Sequence, residues 1–197
     1  MHTTSPIVWR LTVLMVLALA ALTAADILIT LHALQGDAVE FNPYARDGSG
    51  GIRTGFLIAV NCIVLLPLSW AFWHALQRAE TVPPVVLRRW WRHIFDLFTV
   101  HPRSTRGRER SPLRLASAAM TMVTFKIVIV AGNLLVVSGN HGPASLLAEY
   151  FSGQYTGVAL WRAAYFVMIV PCYAAAFGLA AHALAAVQAE IPIGQTA

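Results

Sequence analysis

Four long apolar runs organise this chain, at about 11–34, 54–76, 115–138 and 157–187. Each reaches the roughly 20 residues that a helix needs to cross the hydrocarbon core of a bilayer. The pattern predicts an all-α fold: a single membrane domain over 1–197, built as an integral membrane bundle of four transmembrane helices. Pro171 lies near the middle of the last run and removes one helical hydrogen bond, which predicts a kink. Between the second and third runs the period changes. After Pro83-Pro84, the residues Leu87, Trp90, Trp91, Ile94 and Phe98 recur at helical spacing, with Arg88, Arg89, Arg92, His93 and Asp96 on the other face. This predicts an amphipathic helix lying at the membrane surface, its tryptophans at headgroup level and its arginines on lipid phosphates. The same stripe would also suit a docking helix for a partner subunit. Residues 101–112 carry no apolar period and read as a mobile basic linker.

The first run has a rival reading. Arg10, the apolar stretch and Thr23-Ala24-Ala25 resemble a secretory signal peptide with a small-residue cleavage site. Hydrophobicity resumes at Ile27-Leu28-Ile29, and the whole length suits a full span, so the expectation is an uncleaved helix.

Composition supports the bilayer as solvent. Of 197 residues, 57% are hydrophobic and 12% charged, with a mean hydropathy of +0.63. A soluble domain averages about 25% charged residues. Disordered, collagen-like and disulfide-scaffold classes are excluded, and an ordinary soluble enzyme is disfavoured. The net charge of +5 is regional: nine of the fourteen basic residues are arginines within 78–114. By contrast, 35–53 holds Arg46 and Arg53, and 139–156 holds no Lys or Arg. The positive-inside rule puts both termini and the basic loop, 77–114, on the cytoplasmic side of the plasma (inner) membrane. There Arg88, Arg89, Trp90, Trp91 and Arg92 would meet anionic headgroups rather than nucleic acid. Cys62 and Cys172 sit inside apolar runs and read as small buried hydrophobes, neither a disulfide nor a metal site.

Polar residues within the spans carry the candidate chemistry, because an ionisable group there costs about 2.5 kcal/mol or more at the bilayer centre. Asp26 lies in the first span, Lys126 in the third and Arg162 in the fourth, with Asn61 and Asn133 as uncharged companions. At 1.5 Å per residue, Asp26 stands roughly 23 Å and Lys126 roughly 17 Å from the inner ends of their helices, and Arg162 roughly 8 Å below the outer end of its own. All fall in one layer towards the outer side. Asp26 and Thr30 share a face, as do Lys126 and Asn133; Arg162, Phe166, Ile169 and Tyr173 form another stripe. Asp26 is expected to pair with Lys126 or Arg162. Two cations against one acid would call for an anionic ligand or a second acid, for which Glu40 is the nearest candidate. The structural alternative is interhelical glue.

Asp26-Ile-Leu-Ile-Thr30, then Gly36, then Glu40-Phe-Asn42-Pro43 resembles the signature of a family of small prokaryotic membrane proteins catalogued as domain of unknown function 5658. Lys126 resembles a lysine in a later helix of that family. The resemblance covers 26–43 and part of the third helix, and the long basic loop is additional to it. It implies a site without implying a reaction. Physically, Gly36 suits a left-handed helix end, Pro43 pushes Asn42 out of helical conformation, and Glu40 and Asn42 would form a lid over the charged layer.

Histidines permit another function. His74 and His182 both lie near inner helix ends, and a pair on different helices can hold haem b. No phosphate-binding glycine loop, Cys-x-x-Cys, His-Glu-x-x-His or Gly-x-Ser-x-Gly is present, and Ser138 and His141 have no acid placed to complete a triad. The expected function is a non-enzymatic membrane component. It would bind a small ligand, lipid or partner subunit through Asp26, Thr30, Glu40, Asn42, Asn61, Lys126, Asn133 and Arg162, with no cofactor and no metal. The alternatives are an accessory or assembly subunit of a larger complex, a haem electron carrier, and a proton-coupled transporter or intramembrane enzyme using Asp26.

Overall fold

A computed structural model describes residues 5–33 and 53–190. Its regular structure is helical, and the described residues contain no strand. Among the described residues, four helices are long and apolar enough to cross a membrane. They are α1 (Pro6–Ala33), α2 (Thr54–Gln77), and, after three short helices, α6 (Ser111–Val137) and, after one more, α8 (Gly157–Ala189). The short ones are α3 (Pro84–Arg88), α4 (Asp96–Thr99), α5 (Thr105–Glu109) and α7 (Pro143–Phe151). Proline opens α3, α6 and α7. There its missing N–H costs nothing, because the first-turn donors have no partner within the helix. Pro67 and Pro171 lie inside α2 and α8, and both helices continue through them.

The central helix is α6, which packs against α8, α1 and α2. The core is concentrated at the end that carries the start of α1, the end of α8 and the arginine-rich loop; this is called the basic end below. Ala75, Ala79, Ala116, Ala119, Ala176 and Ala180 are fully covered there, around Leu76, Leu113, Phe177 and Leu184. Lipid tails are as apolar as leucine, so close van der Waals packing must supply the attraction, and small side chains let the backbones approach. The buried hydroxyls are satisfied locally: Ser117 donates to the Leu113 carbonyl at 2.6 Å and Thr121 to that of Ser117 at 2.7 Å. Thr124 also reaches across to α8, with its hydroxyl 2.9 Å from the Cys172 carbonyl.

The loop at the basic end departs from the sequence expectation. The stretch expected as one amphipathic helix is divided into α3, a 3-10 turn at Trp90–Arg92, and α4. Leu87 is buried, and Trp90 and Ile94 pack on the core, whereas Trp91 and Phe95 are exposed. Tertiary docking overrides the period. The Trp90 ring lies on Gly178 of α8 so closely that a Cβ there would stand 2.9 Å from its Cζ2. Trp90 is turned onto α8 and Trp91 faces outward. Gln188 fastens the turn before α3, its amide donating to the carbonyls of Ala79 and Val82 at 2.8 and 2.7 Å.

The segment read as a mobile linker is also folded. Ser104 caps α5 by accepting from the Gly107 N–H at 3.0 Å while donating to the His101 carbonyl at 2.7 Å. Gly107 is required here, since a Cβ would stand 2.2 Å from the His101 oxygen. Asp96 organises the whole loop. Its carboxylate takes the Arg110 guanidinium and lies 2.9 Å from His93 Nδ1, while Arg114 donates to the carbonyls of Asp96 and Val100.

Candidate functional site

The far half of the molecule is built differently. On α2 the fully buried residues are Phe72, Ala75 and Leu76, all at the basic end; Cys62, expected to be buried like Cys172, is exposed, because this part of α2 is not packed on its neighbours. Towards its other end α2 lines a cavity of about 920 Å³ bounded also by α1, α6, α7 and α8. The volume falls within the roughly 300–1,000 Å³ of small-molecule sites.

Asp26, Thr30, Asn61, Lys126 and Asn133 all line this cavity. Lys126 Nζ donates to Asp26 Oδ2 at 2.5 Å, and Asn133 Nδ2 donates to Asp26 Oδ1 at 2.9 Å. The same Asn133 nitrogen lies 3.3 Å from Thr30 Oγ1. Helical spacing produces this cluster: Asp26 and Thr30 are one turn apart on α1, and Lys126 and Asn133 are two turns apart on the facing side of α6. The side chains of Lys126 and Asp26 retain only 12% and 16% exposure. Their charges are thus largely removed from solvent and compensate each other, the condition under which a charged pair persists in low dielectric. Asn61 donates to its own helix, to the Leu57 carbonyl at 2.8 Å, while bordering the same cavity.

Of the two cations considered for Asp26, the structure selects Lys126. Arg162 is exposed on α8 and does not line the cavity. Among the described residues that line the cavity, the ion pair is one to one, Lys126 with Asp26. Glu40 and Asn42, expected as the lid, lie outside the described residues.

Sequence reasoning missed the walls. Phe125, Trp161 and Tyr165 form an aromatic side: Tyr165 meets Phe125 edge-on at 5.5 Å between centroids and Trp161 at 5.0 Å. It also missed α7, which supplies Pro143, Ala144, Ser145 and Ala148. Gly142 at its start packs on Gly132 of α6, where a Cβ would stand 2.7 Å from the Gly132 oxygen. The signal was legible as Gly142-Pro143 followed by a short apolar stretch, a helix start with proline in the first turn.

The histidines are engaged separately. His74 stacks on Trp70, with centroids 5.1 Å apart, and His182 Nδ1 lies 2.7 Å from the Gly178 carbonyl of its own helix. Among the described residues no group of three or more His, Cys, Asp or Glu is arranged to hold a metal ion. Comparisons with protein families, curated proteins and solved structures give no match for this chain.

Proposed function

We propose that this chain is a non-enzymatic multi-pass protein of the plasma (inner) membrane that binds a small ligand in the cavity around Asp26 and Lys126. The observation that carries the reading is a shielded carboxylate–ammonium pair on the wall of a large cavity. An ion pair serving only as helix glue has no need of open space beside it. Asn133, Thr30 and Asn61 add hydrogen-bonding groups, and Phe125, Trp161 and Tyr165 add apolar surface. A few placed polar groups in an apolar pocket are the usual form of a binding site. The arginine bias of 78–114 supports cytoplasmic termini, which turns the cavity towards the outer side. Exposed Arg88, Arg89, Trp91 and Arg92 support contact of that loop with anionic headgroups. Membership of the family catalogued as domain of unknown function 5658 belongs to the same proposal, on the Asp26 to Pro43 pattern.

Purification in mild detergent followed by native mass spectrometry tests the reading. The wild-type protein should carry a bound small molecule that is depleted in Asp26→Asn and in Lys126→Met. Folding of each variant is to be verified by its melting transition. Equal ligand content in all three would overturn the assignment of the site.

A further inference from the structure

The cavity has a side entrance. Phe56 and Val60 of α2 line it and are 45% and 40% exposed; Phe166 and Ile169 of α8 line it and are 70% and 38% exposed. These four residues lie on two of the membrane-spanning helices, within the stretches long and apolar enough to cross. Apolar residues that line a cavity and are also exposed on spanning helices would, in a bilayer, form a mouth facing acyl chains rather than water. The end of the cavity away from the basic loop is bordered by α7, through Pro143, Ala144 and Ser145. A ligand entering through the mouth comes from the bilayer.

The charges inside restrict what such a ligand carries. Asp26 and Lys126 neutralise each other at 2.5 Å. A purely anionic headgroup would have to displace Asp26 from Lys126 and then sit beside an uncompensated carboxylate. A purely cationic one meets the mirror problem at Lys126. Like charges placed together in a desolvated site are strongly unfavourable. A zwitterionic headgroup avoids both costs: its ammonium replaces Lys126 at Asp26, its phosphate replaces Asp26 at Lys126, and every charge keeps a partner. Asn133 donates to the same carboxylate, and its nitrogen also lies within hydrogen-bonding reach of the Thr30 hydroxyl. Thr30 Oγ1 and the Asp26 carboxylate are the acceptors that a compact, donor-rich ammonium headgroup needs, while Asn133 holds the carboxylate from its other oxygen.

We infer that the cavity takes a zwitterionic membrane amphiphile of the phosphoethanolamine type, admitted sideways between α2 and α8, with its headgroup inserted into the Asp26–Lys126 pair. This rests on the ligand-binding reading above and names its ligand class and its route.

The test uses the full-length protein in detergent, titrated with lysophosphatidylethanolamine or lysophosphatidylglycerol of the same chain length and read by native mass spectrometry. The wild-type protein should retain the zwitterionic lipid at least about tenfold better than the anionic one, a difference equivalent to one complementary charge contact. In Asp26→Asn the lysine is left uncompensated, and the preference should reverse towards lysophosphatidylglycerol. This reversal is a readout that misfolding does not produce. Val60→Trp with Ile169→Trp, which narrows the mouth and leaves the ion pair intact, should slow lipid uptake at least about tenfold. Equal or greater retention of the anionic lipid by the wild type would overturn the inference, as would unchanged uptake in the mouth variant. Should a non-lipid molecule be found on the Asp26 cluster instead, this inference fails while the ligand-binding function stands. If neither lipid nor any co-purifying molecule depends on Asp26, both fail.

Discussion

The two halves of this molecule solve the same solvent problem in opposite ways. At the basic end, alanines and Gly178 bring four helices and the loop into contact, and buried hydroxyls are turned back on their own helices. In the other half α2 has no fully buried residue, and the space between the helices is left open around a charged pair. The first arrangement is what close packing in lipid favours. The second forgoes packing contacts and carries the desolvation cost of two ions, so its retention calls for a task. The contrast separates the part of the chain that holds the fold by close packing from the part that leaves space beside a charged pair.

The largest test of that division is electrostatic. Lys126→Met strands the Asp26 carboxylate in a shielded site, and removing one partner of a buried pair costs about 3–5 kcal/mol. Asp26→Leu with Lys126→Met should recover most of that loss, since no uncompensated charge remains. Reversible unfolding in bicelles would measure both, and a double variant as unstable as the single one would show that the pair does not act as a unit. At the packed end, Leu184→Ala removes a fully covered side chain from the core. It should cost about 2–5 kcal/mol, whereas Phe166→Ala at the cavity mouth should lie within about 1 kcal/mol of wild type in the same assay. Equal losses at the two positions would erase the distinction between the halves.

A smaller effect is expected where the loop meets α8. Gly178→Ala places a methyl against the Trp90 ring. Overpacking of this kind costs about 1–3 kcal/mol. The consequence should be undocking of the loop, seen as faster tryptic cleavage at Arg103, Arg106 and Arg108. In a Trp90→Ala background the same substitution should be neutral or mildly stabilising, because the obstacle is gone and alanine is the better helix former. The smallest change belongs to Thr124→Val, which removes the bond to the Cys172 carbonyl. Interhelical hydrogen bonds in membranes average about 0.6 kcal/mol, so bicelle unfolding should shift only slightly and ligand content not at all.

Much of this arrangement was legible in the sequence, for particular reasons. The spans follow from the length of the apolar runs, since a bilayer imposes one length on any helix that crosses it. That Asp26 would meet a cation in a layer shared with Thr30 and Asn133 follows from depth and helical facing together. Isolated ionisable groups in lipid leave few alternatives to finding one another. The basic loop was not legible. Its apolar period is genuine, but Leu87, Trp90 and Ile94 are drawn onto the core while Trp91 is left outside. That choice depends on Gly178, some ninety residues further along the chain, and on Gln188 holding the turn before it. The stretch read as a mobile linker is pinned by Asp96, whose contact with Arg110, fourteen residues further on, no local pattern announces.

Solvent and charge were therefore fixed by the chain itself: which segments are apolar enough to cross, and which polar residues at matching depth must be paired. Whether Lys126 or Arg162 would answer Asp26, and whether space would remain beside the pair, was decided only by how α1, α2, α6 and α8 lean on one another. The physical reason is range. Hydropathy and helical phase act over a few turns and can be summed along a sequence, whereas a cavity is set by the distance between helices whose closest contacts lie elsewhere in the molecule.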